Sequence, residues 1–279
     1  MVSVGHPLNP RSPRPNRIVL LTDFGEQDGY VGIMKGVIAQ TAPNCPVIDL
    51  SHRIPPQDIG AGRFCLANAY RYFPQGSIFV AVVDPGVGSD RRSIAVEFAQ
   101  GYFVGPDNGL ISGILENSPA RRAIHLTNRH YWRVPQPSFT FHGRDIFASV
   151  AAHLAQGVPL TDLGEAFPVE DLVTFPLQAV TVISGVYQGI IEGCIQYIDH
   201  FGNLISNISS DLLTNMCGSV SFKGRHIQIN QRYDQVAKGE AIALGGSHGW
   251  LEIAINQGHA QQQFAAQVGD ELTVYFDKL

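Results

Sequence analysis

The chain reads as an α/β N-terminal domain with a mostly parallel sheet, followed by a smaller all-β C-terminal domain of barrel-like form. Three observations predict this. Over the first half, apolar β-branched runs alternate with segments of helical period, the texture of a sheet buried on both faces. Beyond about residue 175, short β-rich segments recur with Gly and Asn between them, as in a small antiparallel barrel or sandwich. The 279 residues, 44% of them hydrophobic, suffice for one large or two medium cores.

Taken in order, residues 1–16 are rich in Pro, Arg, Ser and Asn and lack a signal peptide's apolar centre, so they read as a disordered extension. Residues 17–175 form the α/β domain. Arg17–Asp23 is its first strand. Asp28 to about Ala42 is a helix with Tyr30, Ile33, Val37 and Ile38 on one face and Asp28 near the positive end of its dipole. Val47–Leu50 is a strand, Gln57–Tyr72 a helix and Ile78–Val83 a buried strand. Strands at Ser93–Phe98, Tyr102–Gly105 and Ala123–Thr127 follow, with helices at Leu110–Glu116 and Asp145–Ala155. The boundary falls within Pro176–Ile183, and residues 183–279 carry seven strand signals, from Gln188–Tyr197 to Glu271–Phe276, with no helix among them.

Net charge is −5 without a basic block, which gives nucleic-acid and anionic-membrane partners little support. Only 15% of residues are charged, below the usual quarter, so much surface is apolar or buried between subunits. Cys45, Cys65, Cys194 and Cys217 lie far apart and form no CxxC pair, so free thiols in a reducing cytoplasm are expected. No apolar run approaches the ~18 residues of a membrane span.

The most informative stretch is Val80–Arg92. A buried strand ends on Asp84, a Pro-Gly turn follows, and Arg91 and Arg92 open the next apolar run. A carboxylate at a strand mouth facing guanidinium groups is costly unless paired or used, and strand ends in open α/β sheets are where ligands sit. Gly86-x-Gly88 resembles half of a phosphate loop, but a strand rather than a helix follows it, so the dinucleotide fingerprint fails. The plainer alternative is a turn with a structural ion pair.

Thr22-Asp23-Phe24-Gly25 and Asp28 sit at the end of the first strand, where a carboxylate can accept two hydrogen bonds from a ribose diol; a strand-ending Asx turn is the alternative. Phe141-His142-Gly143-Arg144-Asp145 precedes a helix, with Asp145 as its cap in the plain reading. Gly105–Gly109 reads as an ordinary turn. Two loops of the second half, around Asp199, Phe201 and Asn203 and around Ser247 and Trp250, combine aromatic faces for a planar base with polar groups for its edges; Asn256 lies beyond them.

Together these segments resemble the S-adenosylmethionine hydroxide adenosyltransferase family, related to the fluorinases and chlorinases. The resemblance runs from about Ile18 to the C-terminus. It rests on Leu-Thr-Asp-Phe-Gly at 21–25, Asp-Leu-Ser-His-Arg-Ile-Pro-Pro-Gln-Asp-Ile at 49–59, Val-Asp-Pro-Gly-Val-Gly at 83–88 and Gly-Pro-Asp-Asn-Gly-Leu at 105–110. It continues with Phe-His-Gly-Arg-Asp at 141–145, Ile-Asp-His-Phe-Gly-Asn at 198–203 and Trp-Leu-Glu-Ile-Ala-Ile-Asn-Gln-Gly at 250–258.

The resemblance implies a homotrimer of two-domain subunits, with S-adenosylmethionine as substrate between the α/β domain of one and the β domain of its neighbour. Water displaces methionine at C5′ and gives adenosine. The family's Asp-Arg-His set falls on Asp84, Arg91 and His142, and the ribose-diol carboxylate on Asp23. Methionine-end contacts fall on Asp28, Asp199 and Ser247, and the adenine-edge contact on Asn203. His248 stands where the halogenases carry an arginine, and those enzymes also lack the full Asp-Arg-His set, which favours water over halide.

On chemical grounds, a sulfonium leaves as a neutral thioether and needs no general acid. The demand is on the nucleophile, and a positioned base supplies roughly 10²–10⁴-fold. Asp84, held ionised by Arg91, orients the water and His142 takes its proton. No metal or cofactor is expected. The alternatives are a metal-dependent nucleoside or phosphate-ester hydrolase with Asp23, Asp28 and Asp84 as oxygen ligands, a non-catalytic sensor of the same ligand, and a halide-using adenosyltransferase.

Overall fold

The computed structural model describes residues 16–184, 188–213 and 216–278. All of the expected N-terminal extension except Asn16 therefore falls outside the described residues. The chain divides after Phe175 into two compact units.

The first unit is built on a seven-stranded sheet. Its strands are β1 (Arg17–Thr22), β2 (Val47–Ser51), β3 (Ser77–Val82), β4 (Ser93–Glu97), β5 (Gly101–Pro106), β6 (Arg122–His125) and β7 (Glu165–Phe167), in the order β2-β1-β3-β5-β4-β6-β7. Pairs β2/β1, β1/β3 and β3/β5 are parallel, and the pairs beyond are antiparallel. Helices α1 (Tyr30–Thr41), α2 (Ile59–Tyr70), the short α3 (Ser112–Leu115) and α4 (Ala148–Ala155) complete it.

Period-2 alternation sends Ile18, Leu20, Ile78, Val80 and Val82 into one core with Met34 and Ile38 of α1 and Val150, Ala151 and Leu154 of α4. Val83 lies on the other face, where it and Leu110 would meet any side chain placed at Gly62 of α2. Tyr70 of α2 stacks on Phe79 there, with centroids 5.1 Å apart. Helices on both faces explain why β1 and β3 read as unbroken apolar runs.

Two details differ from the sequence reading. Helix α1 begins at Tyr30, with Gly29 as its N-cap and no side-chain cap bond, so Asp28 stands outside the helix. The His142 segment enters α4 through a π-helical turn over Gly143–Phe147, and Asp145 is not its cap. The Asp145 carboxylate instead accepts from Arg133 Nε at 2.7 Å, Arg144 Nε and Nη2 at 2.7 Å each, and the Ser138 N–H at 2.9 Å.

The second unit is an eight-stranded antiparallel sheet of β8 (Thr181–Ser184), β9 (Gln188–Ile198), β10 (Leu204–Ser209), β11 (Met216–Phe222), β12 (Arg225–Gln228), β13 (Ala241–Gly245), β14 (Trp250–Ile255) and β15 (Glu271–Lys278). The order is β12-β11-β15-β9-β10-β14-β13, with β8 also on β9. The two ends nearly close into a barrel: Ile229, just past β12, bridges Ala243 of β13, and the Asn230 N–H donates to the Ala243 carbonyl at 2.8 Å. Ile191, Ile195, Leu204, Val220, Ile253 and Val274 fill the interior. One short helix that the sequence did not announce, α5 (Ala260–Phe264), packs Phe264 against Phe222 with centroids 5.5 Å apart. Its N-cap is His259, whose Nδ1 accepts from the Gln262 N–H at 3.3 Å; histidine is outside the usual capping set, which hid the signal.

Candidate active site

Parallel pairing of Thr22 with Val82 fixes the geometry. Asp23 and Asp84 follow these residues by one and two positions, so both carboxylates leave adjacent strands at the same carboxyl edge of the sheet. Ligands of open α/β sheets bind there.

Asp84, Arg91 and His142 meet. Arg91 Nε donates to Asp84 Oδ1 at 3.0 Å and Oδ2 at 3.1 Å, and its Nη2 donates to Oδ2 as well. Nη1 donates to Ser93 Oγ at 2.8 Å, and Nη2 reaches His142 Nδ1 at 2.8 Å. The side chains of Arg91 and Asp84 are 11% and 4% exposed. Phe147 lies under the guanidinium, 5.5 Å from Arg91 Cζ to the ring centroid.

The loop carrying Asp84 is locked to the segment carrying His142. Gly88 has φ +79°, and a Cβ there would run into the Phe139 carbonyl oxygen, so only glycine lets the two backbones approach. Gly143 is pinned similarly: a Cβ would lie 3.2 Å from Met34 Sδ and 3.3 Å from the Phe24 ring. Phe24, Tyr30 and Phe141 form an edge-to-face trio with centroids 5.2 to 5.9 Å apart, joining the turn after β1, α1 and the His142 segment.

Arginine cannot accept, so the Arg91 contact fixes His142 Nδ1 as the acceptor and leaves the neutral ring's hydrogen on Nε2. Burial and then the Arg91 charge push the His142 pKa down, against the pull of Asp84 and Asp145. Beneath it, burial acts to raise the Asp145 carboxyl, but Arg144, the Ser138 N–H and Arg133 outweigh it and hold Asp145 well below the usual carboxylate range.

Asp23 is half-buried, and its Oδ2 accepts the Gln57 N–H at 2.8 Å. Asp28 is exposed. It lines an open cavity of about 430 Å³ with Phe24, Gly25, Glu26, Gln27 and Arg53. Arg92 turns away from this edge to Asp107 (Nε to Oδ2, 2.8 Å), and Asn108 donates to the Val83 carbonyl at 2.8 Å, so the Gly105–Gly109 turn is structural. Among the described residues no three His, Cys, Asp or Glu side chains converge as metal ligands. Cys45, Cys65 and Cys194 are free thiols, and burial pushes Cys65 up to about 11, far from a nucleophilic thiolate.

In the second unit Asp199 and Asn203 sit together in the β9–β10 turn. Asp199 Oδ1 accepts the N–H groups of Phe201 (2.9 Å) and Asn203 (2.8 Å), and Asn203 Nδ2 donates to Oδ2 at 3.0 Å. The Phe201 ring stands 70% exposed beside them. Ser247 and Trp250 flank the start of β14. Leu204 pairs with Ile253 and Ser209 with Trp250, so the Asn203 turn and Trp250 lie at opposite ends of one strand pair. Asn256 shares the Asn203 end, and its Nδ2 donates to the Val236 carbonyl at 2.8 Å. His248 faces inward: Nδ1 accepts the Trp250 N–H at 3.2 Å, and Nε2 lies 3.1 Å from Glu252 Oε2, whose Oε1 takes the Tyr233 hydroxyl.

Sequence reasoning singled out neither Ser93 nor Phe147. Each is an ordinary strand or helix residue locally, and only tertiary packing brings it to Arg91. Among the described residues, no helix is long and apolar enough to cross a membrane.

Known proteins resemble this chain over most of its length. Residues 18–164 match the N-terminal domain of the SAM hydroxide adenosyltransferases, and residues 193–273 match the C-terminal domain. An (R)-S-adenosyl-L-methionine hydrolase of Thermus thermophilus is 39% identical over 90% of this chain and 96% of its own. A fluorinase of an Actinoplanes species is 30% identical over 68% of this chain and 71% of its own. The crystal structure of an uncharacterized conserved protein from Thermotoga maritima superposes with a TM-score of 0.84 at 33% identity, covering 92% of this chain and 99% of that one. The chain belongs to the SAM hydroxide adenosyltransferase family.

Proposed function

We propose that this protein hydrolyses S-adenosyl-L-methionine at C5′, giving adenosine and L-methionine. The observation that carries the reading is the closed Asp84–Arg91–His142 set at the carboxyl edge of the sheet that also presents Asp23. Four relatives of 33 to 39% identity named (R)-S-adenosyl-L-methionine hydrolase support it.

Attack by water breaks the C5′–S bond, and the electron pair leaves on a neutral thioether. The substrate's positive charge is matched by one proton released per turnover. The site addresses the nucleophile. Arg91 and the His142 Nε2–H present positive charge and a donor where hydroxide character develops, stabilisation of the preorganised electrostatic kind. The lone pair of His142 is engaged by Arg91, so the expectation that this ring takes the proton gives way to one in which it holds the oxygen and the proton leaves to solvent. Asp84 keeps the guanidinium in place. Asp23 takes the ribose diol, Asp28, Asp199 and Ser247 the methionine end, and Asn203, with Phe201, the adenine, while Trp250 at the other end of the β10–β14 pair lies on the Ser247 side.

No cofactor enters this reaction. We read the active assembly as a homotrimer with sites shared by neighbouring protomers. The apolar Tyr30 and Ile33, 47% and 45% exposed on α1, supply one face for it. The free thiols suit a cytoplasmic setting. The test is incubation with each sulfonium epimer separately. Equimolar adenosine and methionine from one of them is expected, and an untouched substrate, or 5′-chloro-5′-deoxyadenosine when chloride is supplied, contradicts the reading.

A further inference from the structure

The block Asp49–Asp58 carries no role in the reaction above, yet it surrounds Asp23. The β1–β2 register slips between Leu20, which pairs with Asp49, and Leu21, which pairs with Ser51, so Leu50 is an extra residue in β2. Such bulges re-aim side chains beside functional sites. This one brings His52 back under the turn that follows β1.

His52 is 5% exposed and Thr22 is fully buried. Thr22 Oγ1 lies 2.9 Å from His52 Nδ1, and His52 Nε2 lies 3.0 Å from Asp49 Oδ1 with its N–H angled off the oxygen. Lys35 Nζ closes the chain on Asp49 Oδ2 at 2.6 Å. A carboxylate 3.0 Å from Nε2 favours the hydrogen there, and in that neutral tautomer Nδ1 accepts and the Thr22 hydroxyl donates. The same hydroxyl oxygen accepts the Phe24 N–H at 3.2 Å, and the His52 carbonyl accepts the Gly25 N–H at 2.8 Å.

The Thr–His–Asp order resembles a nucleophilic triad, but its hydroxyl is sealed from solvent. What it can do is fix the backbone on both sides of Asp23. Farther along the block, Gln57 has φ +66°, a left-handed conformation that costs a non-glycine residue about 1–3 kcal/mol unless its surroundings hold it. Its N–H is the one given to Asp23 Oδ2.

We propose that Thr22, His52 and Asp49, together with the Gln57 amide, are positioning residues that aim the Asp23 carboxylate at the ribose diol. The turn is clamped from below by the buried relay, and one carboxylate oxygen is anchored by Gln57. This rests on the reading that Asp23 binds the diol.

The test compares turnover of S-adenosylmethionine with that of its analogue lacking the 2′-hydroxyl, in the wild type and in the Thr22→Val, Thr22→Ser, Asp49→Asn and Asp23→Asn variants. Thr22→Val is expected to raise KM for the diol substrate about three- to tenfold, the factor one hydrogen bond carries, with kcat changed less. It is also expected to shrink the preference over the analogue, while Thr22→Ser restores both. Asp49→Asn, at the relay's solvent end and outside the core, is expected to move the preference the same way by less. A wild-type preference in folded Thr22→Val, or in Asp49→Asn if Thr22→Val does not fold, overturns the proposal whenever Asp23→Asn loses that preference. If Asp23→Asn keeps it, the diol reading itself fails and the proposal with it.

Discussion

Replacing Arg91 with Met separates what this guanidinium does for the fold from what it does for the chemistry. The side chain fills similar space but removes the Nε and Nη2 donors to Asp84, the Nη1 donor to Ser93 and the Nη2 donor to His142. Asp84, 4% exposed, is left as a buried carboxylate without its counter-charge. Breaking one side of such a pair costs about 3–5 kcal/mol, against a total stability of roughly 5–15 kcal/mol. The double variant Asp84→Asn/Arg91→Met leaves no buried charge and loses only hydrogen bonds, about 1–2 kcal/mol. Denaturant unfolding of the wild type, both single variants and the double variant therefore gives a coupling of at least about 2 kcal/mol, with the double variant more stable than Arg91→Met alone. Activity does not follow stability: kcat falls on the order of 10²-fold or more in Arg91→Met and in the double variant, since each loses the charge facing the nucleophile. If the single-variant costs simply add, within about 0.5 kcal/mol, the pair is not the buried, mutually dependent unit described here.

Acid acts through His142. Its folded pKa is depressed, so its contribution to stability is present above the ordinary histidine value of about 6.5 and is lost as pH falls through the folded value. The imidazolium has no lone pair for Arg91, so kcat/KM is expected to show an acid limb lying below about 6.5; a pH–rate profile with histidine NMR titration checks it. Asp145 is also depressed, so its stabilisation is present above the ordinary aspartate range and is lost in strong acid; Asp145→Asn is expected to cost about 1–3 kcal/mol at neutral pH by denaturant unfolding. Gly88→Ala is expected to push the Phe139 segment away from the Asp84 loop and reduce kcat more than thermal stability, a comparison that melting curves and turnover make directly. A weakly buffered indicator assay should register one proton released per adenosine formed.

The fold class was legible because β1 and β3 are buried on both faces and announce themselves as apolar runs, while the second half repeats short strands between turn residues. Strands β7 and β8 were not legible. Each is three or four residues long and pairs at a sheet margin, where partners rather than local pattern decide the conformation. In the site, the Asp84–Arg91 pair is readable from seven residues of sequence, but His142 arrives from 51 residues beyond Arg91 through the contact of Gly88 with Phe139. Arg92, adjacent to Arg91 and chemically equivalent, points instead to Asp107, a difference that only the fold decides. The tautomer of His142 and the inward turn of His248 are properties of neighbours alone, and no spacing rule encodes them.

Attack by a single water on C5′ is tested most directly by oxygen labelling. Turnover in ¹⁸O-enriched water, followed by mass spectrometry of the adenosine, should place one heavy oxygen on the 5′-hydroxyl and none in methionine. Adenosine formed without the label, or label found only in another product, would contradict the account.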